Sequence, residues 1–123
     1  GFSRTKYHEY PEYHTSGDNL NFLSMHGMNK TYKMLTSIID LIEEGLFPVS
    51  KNYGEPFLTK YGLYRTLAKE SIKKDTKNLI NFLAYSDGKT SSFDIALKCN
   101  LDLDETLKVM KILKNNKLVF IKD

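Results

Sequence analysis

The chain is 123 residues long, enough for one domain or two small ones. Its apolar fraction of 41% and charged fraction of 27% are ordinary for a folded protein and exclude a disordered chain. No apolar run reaches the roughly 18 residues of a membrane span, and the single cysteine, Cys99, excludes an intramolecular disulfide scaffold or a cysteine-based zinc site. Residues 1–13 lack the apolar core of a signal peptide, which says little if the chain is a piece of a longer protein. We expect a cytoplasmic protein without membrane contact.

Charge is distributed unevenly along the chain. Residues 1–59 contain 5 Lys+Arg and 7 Asp+Glu, a net charge of −2, whereas residues 60–123 contain 13 and 8, a net charge of +5. This change of sign indicates two units with different properties. Nucleic-acid binding by the basic half would need its charges gathered on one face.

Residues 1–19 are rich in aromatic side chains and show no helical period. Pro11 disfavours the helical conformation for the residue before it, so Tyr10–His14 is predicted to be extended. Thr15–Asn19 is a cluster of turn- and cap-forming residues.

A long amphipathic helix is predicted over residues 25–44. Ser24 can cap its N-terminus, Gly45 stands where a glycine commonly ends a helix, and Pro48 follows. Apolar residues recur at steps of four and three, which forms one stripe along the helix: Met28, Tyr32, Leu35, Ile39 and Ile42. Residues 48–70 contain prolines, glycines and aromatics without a period, which is typical of an ordered connector.

From Asp75 onward the pattern is helix, short strand, helix, turn, helix, strand, which is the order of a small winged helix-turn-helix. Asp75, Ser91 and Asp104 are the predicted N-terminal caps of the three helices. Ser91 and Asp94 resemble a capping box with Asp in place of Glu. The positions predicted to face inward are apolar: Leu79, Ile80, Phe82, Leu83, Phe93, Ile95, Ala96, Cys99, Leu107, Met110 and Leu113.

The predicted strands of this region are Lys89–Ser91 and Leu118–Ile121. Together the elements predict a mainly α fold with short β structure in three parts. The extended segment and long helix occupy residues 1–47, the connector residues 48–70, and the winged helix-turn-helix residues 71–123. The winged helix has only about 50 residues, so its core is small and would gain from docking against the preceding segment.

His14 is the candidate site residue that the N-terminal segment offers. From the residues alone it is either a metal ligand at the end of an extended segment or an ordinary surface histidine. His8 and Glu12 are close in sequence, but the three together would hold a metal ion only weakly.

Two segments resemble motifs of one protein family. Tyr10–Leu20 reads Tyr-Pro-Glu-Tyr-His-Thr-Ser-Gly-Asp-Asn-Leu, and Glu55–Tyr64 reads Glu-Pro-Phe-Leu-Thr-Lys-Tyr-Gly-Leu-Tyr. Both are similar to motifs of bacterial zinc aminopeptidase-like proteins that are often linked to polysaccharide biosynthesis loci. Members have a long helix after the first motif and a C-terminal winged helix, so the resemblance covers the whole chain. It implies that residues 1–47 are the C-terminal segment of an aminopeptidase-like α/β catalytic domain.

The resemblance also implies roles for three residues. His14 would be a zinc ligand, and Asp18 would cap a helix or support the ligand from outside the coordination sphere. Arg4 would contact a substrate carboxylate. The family's other metal ligands and its catalytic base lie on earlier strands that this chain does not contain, so the chain by itself should not hydrolyse substrate.

The winged helix does not have the residues of a DNA reader. In a helix-turn-helix the second helix of the pair enters the DNA groove, and here this is the last of the three predicted helices. Its N-terminal end, residues 101–106, carries three acidic side chains where DNA phosphates would lie. Lys108, Lys111 and Lys114 form a row of lysines farther along this helix, and the wing offers only Lys117 and Lys122 for contact with DNA. No arginine follows Arg65, although arginine is the usual reader of guanine. The sequence argues against DNA binding and favours a packing role or contact with a protein partner or a second copy of the chain.

Two functions follow from these observations. The first is the C-terminal portion of a zinc-dependent aminopeptidase-like hydrolase, which contributes one metal-ligand histidine and an accessory winged helix to the remainder of the catalytic domain. Its substrate could be a peptide or an aminoacylated sugar. The alternative is a winged-helix binding module that contacts protein or nucleic acid.

Overall fold

The computed structural model describes residues 2–63 and 70–122, with side chains omitted for residues 70–73. The described chain is mainly helical with one small sheet, so the predicted fold class is confirmed. In chain order its elements are a 3-10 helix at Leu20–Phe22, α1 at Met25–Glu44, β1 at Pro48–Ser50, a 3-10 helix at Leu58–Tyr61, α2 at Glu70–Tyr85, α3 at Ser92–Cys99, α4 at Leu103–Asn115 and β2 at Val119–Ile121.

The chain divides into two compact units, residues 1–36 and residues 37–123, and α1 runs through the division. The domain limits predicted near residues 47 and 70 stay predictions. Tyr64, the last residue of the second motif, and the end of the predicted connector lie outside the described residues. Within the described ranges, no helix has both the length and the apolar character needed to cross a membrane.

The prediction of an extended chain at Tyr10–His14 is wrong. The Tyr13 N–H donates to the Tyr10 carbonyl at 3.2 Å, and the Thr15 N–H donates to the Glu12 carbonyl at 3.0 Å. Pro11 therefore stands at the second position of a β-turn, where its fixed φ is favourable. The bias that a proline imposes on the preceding residue does not extend the residues that follow it.

Helix α1 has the bounds that were predicted. At its start the Ser24 Oγ accepts the Gly27 N–H at 3.0 Å. At its end Gly45 has φ +122°, and its N–H donates to the Leu41 carbonyl at 3.2 Å. Leu41 is fully buried, whereas all five members of the apolar stripe are exposed, between 37% and 69%. The spacing of apolar residues in the sequence thus identified the stripe, and its side chains are exposed in the structure.

Helices α2, α3 and α4 build the core of the second unit. Its fully buried side chains include Phe82, Ile95, Met110, Leu113 and Leu118. Asp75 lies inside α2 and is not its cap. The cap of α4 is Asp102 and not Asp104, because Asp102 and Glu105 form a reciprocal capping box.

The small sheet joins the segment after α1 to the end of the chain. β1 pairs antiparallel with β2, with Val49 opposite Phe120, and Val49 also bridges Asp87. The predicted strand at Lys89–Ser91 is wrong: the Asp87 carboxylate accepts the backbone N–H groups of Lys89 and Thr90 in a tight turn. The terminal strand is present at Val119–Ile121, one residue shorter than predicted.

Candidate functional site

His14 lies on a loop whose backbone is held by its own hydrogen bonds. The Thr15 hydroxyl donates to the Glu12 carbonyl at 2.7 Å and accepts the Gly17 N–H at 3.1 Å. The Asp18 N–H donates to the Thr15 carbonyl at 3.1 Å. His14 itself has φ +58°, a left-handed conformation that histidine adopts more readily than most residues. The loop therefore fixes the backbone from which this imidazole projects.

The His14 imidazole is exposed and touches an aromatic neighbour. Its ring centroid lies 4.2 Å from that of Tyr13, and the Tyr13 ring lies 5.6 Å from that of Tyr10. Within residues 2–63 and 70–122, neither ring nitrogen of His14 has a hydrogen-bond partner. Both nitrogens are therefore open to a ligand or to a supporting group.

Asp18 is linked to the same aromatic group. Its Oδ2 accepts a long hydrogen bond from the Tyr10 hydroxyl at 3.4 Å. Partial burial, followed by the nearby Asp18 carboxylate, raises the pKa of Tyr10 above its ordinary value. The phenol therefore stays protonated at neutral pH and remains a donor. Asp18 does not cap the short helix that follows: the side chain that does so is Asn19, which accepts the Asn21 N–H at 2.9 Å.

Arg4 lies against the first turn of α1. A Cβ at Gly27 would overlap the Arg4 guanidinium, so a larger residue would displace the end of that flexible side chain. Arg4 forms no hydrogen bond or ion pair with any residue that the structure describes. Gly27 was not predicted to contact another segment, although an isolated glycine inside a helical pattern is a signal for close approach of another group.

A cavity of about 680 Å³ opens in the first unit between the N-terminal segment and α1. Arg4, Tyr10 and Asp18 line it on the polar side. Its apolar wall consists of Phe22, Leu23, Met28, Tyr32 and Leu35. The cavity thus combines an unpaired cation and a carboxylate with an apolar surface.

The structure brings only some of the predicted site residues together. Arg4 and Asp18 share the cavity, and Asp18 and His14 share a loop. Across the described residues there is no group of three or more His, Cys, Asp or Glu side chains that could hold a metal ion. His14 is therefore a single candidate ligand, whereas a catalytic zinc needs about three from the protein.

The lysine row of α4 is only partly available. Lys108 and Lys111 are exposed, but the Lys114 Nζ donates to the carbonyl and the carboxylate of Glu44, at 2.8 and 2.7 Å. This contact could not be read from the sequence, since the two residues are 70 positions apart.

Acidic side chains at the start of α4 are engaged as well. The Asp104 Oδ1 accepts the Ser37 hydroxyl at 3.0 Å, and Glu105 forms an ion pair with Lys74 at 2.7 Å. The Lys74 ammonium, and then the Asp102 N–H, lower the pKa of Glu105. The end of α4 that would enter a DNA groove is therefore negatively charged, and Ser37 of α1 contacts it.

Comparisons with known proteins match the two parts of the chain to different families. A family model described as a domain of unknown function (DUF4910) matches residues 1–45. A protein of Clostridium acetobutylicum, named for polysaccharide biosynthesis and for an aminopeptidase-like domain, is 36% identical over 92 residues, which are 73% of this chain and 21% of that protein. The chain thus spans about a fifth of the curated relative that it matches.

This relative confirms the resemblance to aminopeptidase-like proteins of polysaccharide biosynthesis. No solved structure matches the chain significantly. A model of the winged helix-turn-helix family matches residues 47–120, more than half of the chain. In this chain, helices α2 to α4 and strand β2 follow one another in the order of that fold. The chain belongs to the winged helix-turn-helix family.

Proposed function

We propose that the chain is the C-terminal portion of a zinc-dependent aminopeptidase-like hydrolase and that His14 supplies one of its metal ligands. The observation that carries this proposal is the His14 loop, which holds an exposed imidazole with no protein partner on either nitrogen among the described residues. The aminopeptidase-like name of the Clostridium acetobutylicum relative supports the class of protein.

The residues present fit a partial zinc site. A neutral imidazole is one of the commonest zinc ligands, and its second nitrogen is usually held by a further hydrogen bond. In the proposal, the remaining ligands and the catalytic base come from the remainder of the catalytic domain. Zinc in such a site polarises the scissile carbonyl and lowers the pKa of the attacking water.

The other residues of the first unit bind and orient in this proposal. Asp18, which lies four residues after His14, supports the ligand loop from outside the coordination sphere. Arg4 holds a carboxylate of the substrate, and the protonated Tyr10 phenol offers a further donor in the same cavity. The substrate in this proposal is a peptide or an aminoacylated sugar.

In the same proposal the winged helix is an accessory domain whose contacts are with protein and not with DNA. The acidic start of α4 and the engagement of Lys114 with Glu44 support this view. A protein partner or a second copy of the chain would use the exposed surface of the winged helix.

The test is the zinc content of the complete product of the gene, measured by mass spectrometry after removal of free metal. His14→Ala should lower zinc occupancy at least tenfold, and Asp18→Asn should weaken zinc affinity by about tenfold. The matched control is His26→Ala, which removes an exposed imidazole from the first turn of α1. Unchanged zinc content in His14→Ala would refute the proposal.

A further inference from the structure

One face of helix α1 contacts other residues of the second unit. Leu41 is fully buried in the core of that unit. The Ser37 hydroxyl donates to the Asp104 carboxylate, and the Lys114 ammonium binds Glu44. Ser37, Leu41 and Glu44 recur at steps of four and three, so they share one side of the helix. This side of α1 packs against the winged helix.

The apolar stripe lies on the opposite side of the same helix. With about 100° between successive residues, Ile39 points about 160° away from Ser37. From Met28 to Ile42 the stripe is about 21 Å long. Its members remain 37% to 69% exposed. An amphipathic helix gains its stability by burying such a stripe, and contiguous exposed apolar surfaces of this kind mark interaction sites.

The first unit adds further uncovered apolar surface. The N-terminal segment leaves large apolar side chains in solvent, namely Phe2, Tyr7, Leu20, Phe22 and Leu23. The cavity of this unit also opens onto the first half of the stripe, at Met28, Tyr32 and Leu35. Large apolar side chains in solvent favour an occupant that covers them.

The sequence comparisons indicate what that occupant is. The whole stripe lies within residues 1–45, which are matched by a model separate from that of the winged helix. The relative with an aminopeptidase-like domain has about four fifths of its length outside the match. That remaining length is large enough to provide a domain that covers the stripe.

We infer that the stripe of α1, namely Met28, Tyr32, Leu35, Ile39 and Ile42, is the docking face for the remainder of the aminopeptidase-like domain, and that α1 joins this domain to the winged helix through its two opposite sides. The inference rests on the proposed function, since it takes the same longer protein as its partner. It adds the surface that the partner covers.

Thiol labelling tests the inference. Ile39→Cys on the stripe and Lys33→Cys, an exposed position off it, are each placed in a Cys99→Ser background. Maleimide labelling rates are measured in the 123-residue chain and in the complete product of the gene. In the chain alone both thiols should react rapidly. In the complete product Ile39→Cys should react at least tenfold more slowly, and Lys33→Cys should be unchanged.

Equal rates for the two positions in the complete product would overturn the inference. So would slow, concentration-dependent labelling of Ile39→Cys in the chain alone, because a second copy would then cover the stripe. Tyr32→Cys repeats the measurement if Ile39→Cys does not fold. A complete product that protects Ile39→Cys but binds no zinc would support the docking face and contradict the metal role of His14.

Discussion

The Lys114 ammonium binds both the main-chain carbonyl and the side-chain carboxylate of Glu44, at 2.8 and 2.7 Å. Glu44 is the last residue of α1, where carbonyl groups lack partners within the helix and the helix dipole is negative. The lysine therefore caps α1 from α4. Lys114 therefore belongs to the contact between α1 and α4, although the sequence places it in a row of surface lysines.

Lys114→Met should lower the free energy of unfolding by about 1 kcal/mol, because it removes a charge-assisted cap while keeping the aliphatic stem. Urea unfolding followed by circular dichroism measures the change. Lys111→Met is the control, since Lys111 is exposed on the same helix, and its effect should stay within about 0.5 kcal/mol. Equal effects of the two variants would contradict the capping role.

Gly45→Ala should destabilise the protein by roughly 2 to 4 kcal/mol. Gly45 has φ +122°, which strains any residue with a side chain, and an added Cβ would overlap the Ile121 side chain. Thermal unfolding checks this against Gly54→Ala, whose Cβ meets no atom within 4 Å. Adding Ile121→Ala to Gly45→Ala should remove the overlap with the side chain but leave the backbone strain. If the double variant lost no more stability than Ile121→Ala alone, backbone strain at residue 45 would be contradicted.

Stability should decline as the pH falls from about 5 towards 3. The N–H groups of Thr90 and Lys89 lower the pKa of Asp87 below its ordinary 3.8, and Lys74 lowers that of Glu105 below its ordinary 4.5. A carboxylate with a lowered pKa stabilises the folded state above its ordinary pKa, and this contribution is lost as the pH falls through the lowered value.

The contribution of each carboxylate can be separated by amide substitution. Asp87→Asn and Glu105→Gln keep an acceptor oxygen but cannot titrate, so each should flatten the decline of the unfolding midpoint with falling pH. Asp40→Asn, at an exposed position of α1, should leave the slope unchanged. A wild-type slope in both amide variants would contradict the assignment.

Duplex DNA should not bind the chain measurably at 10⁻⁵ M protein and physiological salt, where non-specific binders have dissociation constants of roughly 10⁻⁴ to 10⁻⁶ M. Fluorescence anisotropy with a labelled duplex measures this. Salt-dependent binding that is lost in Lys108→Ala or Lys111→Ala would show that the exposed lysines contact phosphates, and would reverse the conclusion.

Features decided by local chemistry could be predicted from the sequence. Both ends of α1 follow from Ser24 and Gly45, because each acts on the turn of helix beside it. The cap of α4 is Asp102, two residues before the predicted Asp104, because Asp102 also forms the reciprocal capping box with Glu105. The error at Tyr10–His14 has a similar origin: Pro11 restricts its predecessor but also favours a turn.

Features decided by tertiary contact could not be predicted. The period of α1 identifies a stripe, but it does not say that Leu41, outside the stripe, is the residue that becomes buried. The contact of Arg4 with Gly27 and that of Lys114 with Glu44 also depend on how distant segments meet. His14 and Asp18 were found through motif resemblance, whereas Tyr10 as the partner of Asp18 needed the structure.

The position of β1 has a practical consequence for recombinant fragments. The strand comes before α2 in the chain, yet it pairs with β2 at the end of the chain. The Ser50 N–H also donates to the Ser86 carbonyl, and the Gly88 N–H donates to the Pro48 carbonyl. A fragment that begins at α2 would leave β2 without its neighbour and open to pairing with other molecules. Expression of the winged helix for biophysical work should therefore begin before Leu46, whose carbonyl accepts the N–H of Ser92.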